Sequence, residues 1–559
     1  TMFTHSLRPP PPPPPTSKKT EHFFPFDAFV KWLSYGNDAA SSSSKASAAA
    51  RAGENAANAT ATAAPPARAS RDPRADPGFL SRRELCYTLD GDIFVRYQSV
   101  RDAADLRRAL LAKVPAKIDI GPVYNVDPSR RAAYNASSAN ASSSASAASA
   151  ASSSFSPMER ELVFDIDLTD YDDVRTCGTG GHTCRKCWPL MAAAVAIVDA
   201  ALREDFGLSL VLWVFSGRRG VHAWVCDPRA RYLTDEQRAA VASNLSLYKG
   251  VEDGVVKLAL PGAGSGGARP SGDGNSSSTT TTAFVGNGGN TSHPSVSRAL
   301  RLLRPLWESR ILPAQRLLDS AKTWDKVLNH LPDLSVASRL KSRWERERET
   351  ERENVPSSDD EQENPKASLS VRRWHDLEAE VAKAARPSAS DARDHAARDR
   401  KAALATCLDR AMLACAYPRL DVDVSKKRNH LLKAPFCVHP KTGKVCVPIV
   451  LGENDDDVAA AAASFDVDAV PTAAGLLDSL DDRAVAERER KAKAGPSSAQ
   501  AAAAAAAASA PSAPKWVGTA LEPYVASFEE FVQACSAEGR AENARRAAAR
   551  RAAEGSLAW

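Results

Sequence analysis

The sequence predicts a mixed α/β fold in which strands and helices follow one another without a regular repeat. Short runs such as ELVFDIDL alternate apolar and polar residues with the period of a strand. Longer runs such as PLMAAAVAIVDAALREDF are apolar on a broad face, as in a buried helix. Long tracts of alanine, serine, glycine and threonine lie between them, and such tracts bury too little apolar surface to form a core.

These tracts divide the chain of 559 residues. Without them roughly 300 to 350 residues are left, enough for one large core and a smaller lobe. We expect, in order, a disordered proline-rich arm (1–20), an N-terminal helix (21–36), an alanine-rich linker (37–77), the first part of the main domain (78–261) with an insertion (132–157), a disordered insertion (262–292), a helical subdomain with charged disordered segments (293–400), the second part of the main domain (401–451), a disordered insertion (452–515), and a C-terminal helix with a basic tail (516–559).

The first elements follow from local patterns. Aromatic and aliphatic residues recur at helical spacing in HFFPFDAFVKWLSYG, which predicts a helix that docks on the core. Two strands joined by an Asp-Gly turn, a strong hairpin signal, are predicted for RELCYTLDGDIFVRYQS. A further strand is predicted for AKIDIGPVYN.

Helices dominate the later part of the chain. The subdomain helices are predicted from RALRLLRPLWESRIL, SAKTWDKVLNHL and SVRRWHDLEAEVAKAA, while charged and alanine-rich sequence fills most of 343–400. A helix feeding a strand is predicted for KAALATCLDRAMLACAYPRLDVDVS. The last amphipathic helix is LEPYVASFEEFVQAC, and the basic tail ARRAAARRAAEG predicts a solvated helix.

Charge and cysteine usage limit the class of protein. The formal charge is only +5, so any surface for nucleic acid must be local. Ten cysteines are scattered singly apart from one cluster, which favours a reducing compartment and a metal site over disulfides. We expect the single cysteines to be small core residues. No secretory leader and no apolar run of about 18 residues is visible, so we expect a soluble, intracellular protein without a membrane span.

The strand ELVFDIDL carries two carboxylates on one face, Asp165 and Asp167. Two carboxylates about 7 Å apart on a strand repel each other unless a cation lies between them. Hard oxygen ligands suit Mg²⁺ or Mn²⁺. A solvated acidic face is the alternative interpretation of such a pair.

A basic hairpin follows in VLWVFSGRRGVHAWVCD. Ser216, Arg218, Arg219 and His222 lie with two glycines between apolar strands. Arginine forks match phosphate oxygens, and glycine lets the backbone approach them closely. The pattern indicates a polyphosphate site, the alternative being an exposed hairpin with a basic tip.

Four stretches follow one another along the chain: FDIDLTDYDDVRTC, CRKCWPLM, SGRRGVHAWVCD and PRLDVDVSKKRNHLLKAPFCVHPKTGKVCVPI. All four resemble motifs of the small, catalytic subunit of eukaryotic DNA primase, in the archaeo-eukaryotic primase family. Weaker similarity runs from about Phe24 to Phe531, between insertions. The resemblance implies a mixed-sheet catalytic domain, a zinc motif beside it and a smaller helical subdomain.

The resemblance also implies roles for residues. Primer synthesis needs two cations and hence several carboxylates, and the similarity makes Asp421 the third, with Asp423 as a possible helper. Asp170 corresponds to a family residue near the incoming nucleotide. The nucleotide-binding positions implied by the family are Ser216, Arg218, Arg219, His222, Lys433, His439, Arg96, Lys117 and Asp119. Asp119 is a candidate for reading a ribose 2′-hydroxyl, and Glu84 is a further matching position.

The cysteine cluster (177–187) departs from the family, since Gly178 stands where animal members carry a second adjacent cysteine. Cys177, Cys184 and Cys187 give three thiolates, and a structural zinc site needs four ligands. His182 is the candidate for the fourth. Such zinc would be structural, and a vestigial loop with free thiols is the alternative.

The resemblance predicts a DNA-templated RNA polymerase that makes short primers from ribonucleoside triphosphates on single-stranded DNA. It implies a nuclear heterodimer with an iron-sulfur large subunit, within the DNA polymerase alpha complex. A repair or repriming enzyme of related fold is one alternative. A zinc-stabilised scaffold is another, and it would predict loss of the carboxylates or hairpin arginines, all of which are present.

Overall fold

The structure, a computed structural model, describes residues 23–37, 76, 78–134, 155–252, 255–258, 293–353, 368–386, 394–452, 454–493 and 514–556. The predicted arm (1–20) and the insertion at 262–292 lie outside the described residues, as do 38–75 of the linker and 135–154 of the first insertion. Among the helices described, none combines the length and the apolar character needed to cross a membrane.

The strands form two antiparallel sheets and a separate hairpin. They are β1 (Arg83–Leu89), β2 (Ile93–Gln98), β3 (Lys117–Tyr124), β4 (Pro157–Glu159), β5 (Leu162–Asp167), β6 (Val211–Phe215), β7 (Gly220–Val225), β8 (Tyr248–Glu252), β9 (Val255–Leu258) and β10 (Leu432–Lys433). The first sheet has the order β10-β3-β1-β2, with β4 also paired to β3; the second has the order β5-β7-β6. The predicted mixed α/β class is confirmed.

Helices surround the sheets and make up the subdomain. They are α1 (Phe26–Ser34), α2 (Ala103–Lys113), α3 (Trp188–Glu204), α4 (Pro228–Arg231), α5 (Asp235–Leu245), α6 (Pro294–Leu306), α7 (Leu312–Gln315), α8 (Ala321–Leu328), α9 (Leu334–Glu353), α10 (Leu369–Ala384), α11 (His395–Ala416), α12 (Val422–Lys426), α13 (Asp455–Ser464), α14 (Ala473–Lys493) and α15 (Glu522–Ser556). The predicted N-terminal, central and C-terminal helices are therefore present.

The β1-β2 hairpin forms as predicted. Thr88 pairs with Phe94 across it, and Gly91 takes a φ of +79° in the turn, a conformation that favours glycine. Tyr97 also has a positive φ, of 60°, close to an irregularity in the strand pairing. Its backbone N–H donates to Glu84, so the distortion is held by a buried carboxylate.

Helix α3 is the centre of the core. Its many alanines are buried and let neighbouring elements approach closely. Helix α13 packs against it, Trp188 donates its indole N–H to the carbonyl of Ala462, and the Phe465 ring lies 5.0 Å from that of Trp188. The prediction of a disordered insertion over 452–515 is therefore wrong for 454–493, because alanine-rich sequence here is a close-packing surface.

The first and last helices of the described residues, α1 and α15, meet beside the second sheet. The ring of Trp32 in α1 lies 5.3 Å from Trp224 of β7 and 5.7 Å from Phe528 of α15. The N–H of Asp76 donates to the side chain of Asn37 at 3.0 Å, so both ends of the predicted linker are fixed on the domain.

The subdomain is helical, as predicted, with a core of paired tryptophans. Trp307 and Trp374 lie 5.3 Å apart, and Trp324 and Trp344 lie 5.4 Å apart. The charged sequence is more ordered than predicted, because α9 extends to Glu353 around buried Trp344 and α11 begins at His395. The predicted boundary at 400 thus falls inside a helix; residues 354–367 and 387–393 lie outside the described residues.

Candidate active site and metal centre

Asp165 and Asp167 leave the same face of β5, which is fixed by its pairing with β7. Asp165 lies opposite His222 and Asp167 opposite Gly220. The alternating residues Leu162, Phe164 and Ile166 are fully buried on the other face. The apolar face therefore anchors the strand, while the carboxylates are directed away from the core.

Asp421 reaches the same place from far along the chain. Its backbone N–H donates to the carbonyl of Asp165 at 3.0 Å. The predicted strand is wrong here, because Asp421 is the N-cap of the short helix α12 and accepts from the N–H of Asp423. Asp423 consequently does not share a strand face with it. Its side chain is 87% exposed and pairs with Lys426.

The acidic group has a distinct electrostatic character. Burial, followed by the charges of Asp167 and Asp421, raises the pKa of Asp165 to about 7. Burial and the charge of Asp167 also raise the pKa of Asp170. The four carboxylates therefore lie close enough to repel one another, which is the environment in which a divalent cation is most strongly attracted.

The turn between β6 and β7 supplies the basic residues. Gly217 has a φ of +84°, and a β-carbon there would lie 2.8 Å from the β-carbon of His439. Arg219 donates to Asp167 at 2.6 Å, whereas Arg218 donates to the carbonyl of Gly181 at 3.3 Å. One arginine thus faces the carboxylates and the other reaches the cysteine loop.

Lys433 and His439 face this turn. The Lys433 ammonium donates to the carbonyl of Ser216. The backbone N–H of His439 donates to the carbonyl of Lys444, and its carbonyl accepts from the N–H of Gly443, both at 2.8 Å. Burial and the cations Lys433, Arg218 and Arg219 lower the pKa of His439 to about 4. His439 is accordingly a neutral donor or acceptor at physiological pH.

His222 is buried beside Asp165, with 3.6 Å between its Nε2 and the Asp165 Oδ1. Burial and the charge of Lys433 lower the pKa of His222 to about 3, so its ring is neutral. Its Nδ1 has no hydrogen-bond partner among the described residues. The ring therefore keeps a free polar atom at the floor of the site.

Arg96, Lys117 and Asp119 lie on one face of the first sheet. Asp119 pairs across the strands with Lys433, which brings this face to the carboxylates and the basic turn. Lys117 and Asp119 form an ion pair at 3.1 Å. Arg96 is held by the fully buried carboxylate of Glu84 at 3.0 Å, so Glu84 orients Arg96.

The cysteine loop brings together three of the four predicted ligands. The sulfurs of Cys177, Cys184 and Cys187 lie within 4.8 Å of one another, and this group can hold a metal ion. Hydrogen bonds, first from Cys187 and then from Gln315, lower the pKa of the Cys177 thiol well below its usual range. His182 lies outside the group: its ring fills the space beside Gly178, where a β-carbon would lie 2.4 Å from its Cδ2.

Sequence reasoning missed Arg419, which connects the two parts of the acidic site. Arg419 lies two residues before Asp421 in the sequence. Its buried guanidinium donates to the side chain of Asp173 and to the carbonyl of Asp170. The hydroxyl of Tyr171 also bridges the same segments, because it accepts from the backbone N–H of Arg419 and donates to the carbonyl of Tyr417. The arginine in PRLD was the available signal, since a charge next to a predicted catalytic carboxylate needs a partner.

Carboxylates gathered opposite fixed cations are characteristic of metal-dependent phosphoryl-transfer enzymes as a class. Comparison with known proteins narrows this class. The family model of the DNA primase small subunit matches residues 164–451. The chain therefore belongs to the DNA primase small subunit family, which confirms the resemblance seen in the sequence.

Individual relatives agree over most of the chain. The DNA primase small subunit of Schizosaccharomyces pombe is 33% identical over 402 residues, covering 72% of this chain and 71% of the relative. That of Drosophila melanogaster is 34% identical over 485 residues, covering 86% and 84%. That of Caenorhabditis elegans is 29% identical over 516 residues, covering 92% and 96%.

Proposed function

We propose that this chain is the catalytic subunit of a DNA primase and joins ribonucleoside triphosphates into short RNA primers on single-stranded DNA. The observation that carries the proposal is the convergence of Asp165, Asp167 and Asp421 opposite the basic turn. Family membership supports a primase role. Retention of every carboxylate and hairpin arginine speaks against a scaffold without activity.

The three carboxylates are proposed to hold two Mg²⁺ or Mn²⁺ ions. Such ions, when bound, stabilise the attacking and leaving oxygens of nucleotidyl transfer. Arg219 pairs with Asp167 in the present arrangement. A cation on Asp167 would compete with that ion pair and free the Arg219 guanidinium for a phosphate oxygen.

The triphosphate is proposed to lie between the basic turn and the Lys433–His439 segment. Ser216, Arg218, Arg219, Lys433 and His439 would supply fixed donors, and His222 a neutral ring at the floor. Phosphoryl transfer depends mainly on positioning and charge neutralisation, so no covalent nucleophile of the protein is needed.

The face of the first sheet is proposed to hold the sugar. The Asp119 carboxylate is almost fully buried and paired with Lys117, so it is a pre-positioned acceptor for a ribose 2′-hydroxyl. Arg96, oriented by Glu84, would contact a phosphate at the same edge, and Asp170 would lie near the incoming nucleotide.

The cysteine group is proposed to hold one structural Zn²⁺ through Cys177, Cys184 and Cys187. Three sulfurs within 4.8 Å fit the thiolate share of a tetrahedral shell. His182 is proposed as the fourth ligand, since it lies within the loop and its ring packs beside Gly178, the neighbour of Cys177 in the sequence.

The partners and location are also proposals. We infer a nuclear heterodimer with an iron-sulfur large subunit, within the DNA polymerase alpha complex. The seven cysteines outside the loop are buried and free, and the loop itself brings together three cysteines, one short of the four that ligate an iron-sulfur cluster. An iron-sulfur cluster would then belong to another chain.

A templated synthesis assay tests the proposal. The purified chain is given single-stranded DNA, Mg²⁺ or Mn²⁺ and labelled nucleotides, with Asp167→Asn as the inactive control. We expect short RNA products that require the template and that form faster from ribonucleotides than from deoxynucleotides. Template-independent labelling, or equal products from the Asp167→Asn variant, would contradict it; a preference for deoxynucleotides would favour the repriming alternative.

A further inference from the structure

Gln315 ends the four-residue helix α7 of the helical subdomain, yet its side-chain hydrogen bonds are with the cysteine loop and with Thr176, which directly precedes it. Its side chain is fully buried. A buried primary amide is costly unless its donors and its acceptor are satisfied, so this one must be held by specific partners. Neither the catalytic group nor the basic turn contacts it among the described residues.

The hydrogen bonds fix the orientation of the amide. Its Oε1 accepts from the backbone N–H of Thr176 at 2.9 Å, so the oxygen points to a donor. Its Nε2 donates to the carbonyl of Lys186, so the nitrogen points to an acceptor. The two ends of the amide are therefore distinguished by their partners, and they contact residues on both sides of the cysteine loop.

The remaining Nε2 hydrogen is directed at the sulfur of Cys177, 3.5 Å away. An N–H to sulfur hydrogen bond stabilises a thiolate and holds its direction. The backbone carbonyl of Gln315 adds a further bond, accepting from the Thr176 hydroxyl. Arg316 follows with a φ of 51°, which turns the chain away directly after these contacts.

We propose that Gln315 is the positioning residue of the zinc centre: it holds Cys177 in place for the metal and so ties the helical subdomain to the catalytic domain through the zinc loop. This rests on the zinc site proposed above. Gln315 does not ligate the ion. It acts through Cys177, and its loss should weaken metal binding about 10–100-fold, as is typical when a group that orients a metal ligand is removed.

The variant that tests this is Gln315→Met, which keeps the length and apolar stem of the side chain and removes the amide. Zinc release from the purified holoprotein into a colorimetric chelator is followed together with the melting temperature. The matched control is Ser370→Ala. Ser370 is also fully buried in the subdomain, but its hydroxyl accepts from the N–H of Leu318 and donates to Asp319, both in the subdomain and not in the loop.

We expect Gln315→Met to release zinc at least about 10-fold faster than wild type, and Ser370→Ala to release it at the wild-type rate despite a lower melting temperature. Equal release from Gln315→Met and wild type would overturn the proposal. So would equally fast release from both variants, since general destabilisation would then explain it. A wild-type protein purified without bound metal would instead overturn the zinc site and this proposal with it.

A second measurement needs no substitution. Hydrogen exchange of the wild-type amides in 312–328 is compared with zinc bound and after its removal. If Gln315 couples the subdomain to the centre, these amides should exchange faster without zinc, while those of α10, Leu369–Ala384, should change less. Unchanged exchange over 312–328 would overturn the coupling.

Discussion

The Asp165 carboxyl shows how the site is organised at the scale of single residues. It lies on a strand whose other face is buried, beside a neutral histidine and near two further carboxylates. The protein holds it there at an electrostatic cost, because burial and then the neighbouring carboxylates disfavour its charge. A bound cation would remove that cost, so Asp165 lowers the stability of the metal-free protein and increases its affinity for a cation.

Asp165→Asn should abolish primer synthesis and raise the melting temperature of the protein without Mg²⁺ or Mn²⁺. The pKa of Asp165 is raised in the folded state to about 7. The folded protein thus binds this proton more tightly than the unfolded chain, and stability falls as pH rises from about 4 to 7. The gain from Asn should be largest above pH 7 and small near pH 4. Thermal unfolding at several pH values measures it.

The control is Asp423→Asn, because Asp423 is exposed and lies outside the acidic group. It should show no gain that grows with pH. A pH-independent effect of Asp165→Asn would contradict the electrostatic account of the group.

The second prediction at the scale of single residues concerns nucleotide binding by Arg218. Arg218→Ala should raise the KM for nucleotide with a smaller effect on kcat, corresponding to about 1.5 to 3 kcal/mol for a charge-assisted hydrogen bond. Arg218→Lys should recover only part of the loss, because an ammonium cannot donate to Gly181 and to phosphate with the geometry of a guanidinium. Steady-state kinetics separate the two constants. Full recovery by lysine would show that charge alone is required.

At the scale of elements, the zinc loop is where sequence and structure diverge most. The cysteine spacing was readable, and the structure brings the three sulfurs together. The partners of the loop could not be predicted from the sequence, because Gln315 and Arg218 approach it from distant parts of the chain and neither lies in a metal-binding motif. Contacts of this kind depend on how the elements are packed.

His182 provides the prediction for this element. X-ray absorption of the zinc protein should show three sulfurs and one nitrogen, and His182→Ala should lower both zinc content and melting temperature. His182→Cys should restore both with a four-sulfur shell. A shell without nitrogen, or unchanged zinc in His182→Ala, would exclude His182 as the fourth ligand.

The other elements show what sequence patterns can and cannot supply. The β1-β2 hairpin was predicted because its Asp-Gly turn is local. Asp421 was placed near the other carboxylates by resemblance, but its helical N-cap was missed because DVDVS alternates like a strand. Helix α13 was missed because alanine-rich sequence suits both a spacer and a close-packed helix.

At the scale of the whole molecule, the first and last described helices, α1 and α15, support the site from far along the chain. Phe528 of α15 contacts Trp32 of α1 and also Phe436, whose ring lies 5.1 Å away, between Lys433 and His439 in the sequence. The C-terminal helix thus supports the segment that carries two proposed phosphate ligands. This long-range support could not be read from local patterns.

Phe528→Ala should therefore destabilise the protein by about 3 to 5 kcal/mol, as expected for a fully buried phenylalanine. Phe531, on the same helix but only partly buried, is the matched control, and Phe531→Ala should cost less. Denaturant unfolding measures the free energy of unfolding of both variants. Equal losses would contradict a specific role for Phe528.

The central claim is that carboxylates from distant parts of the chain form one catalytic site for primer synthesis. The most direct test is the rate of templated RNA primer formation by Asp421→Asn, compared with Asp423→Asn and wild type at saturating Mg²⁺ or Mn²⁺. The account predicts a loss of roughly 100-fold or more for Asp421→Asn and a near wild-type rate for Asp423→Asn. A wild-type rate for Asp421→Asn, or an equal loss in both variants, would contradict it.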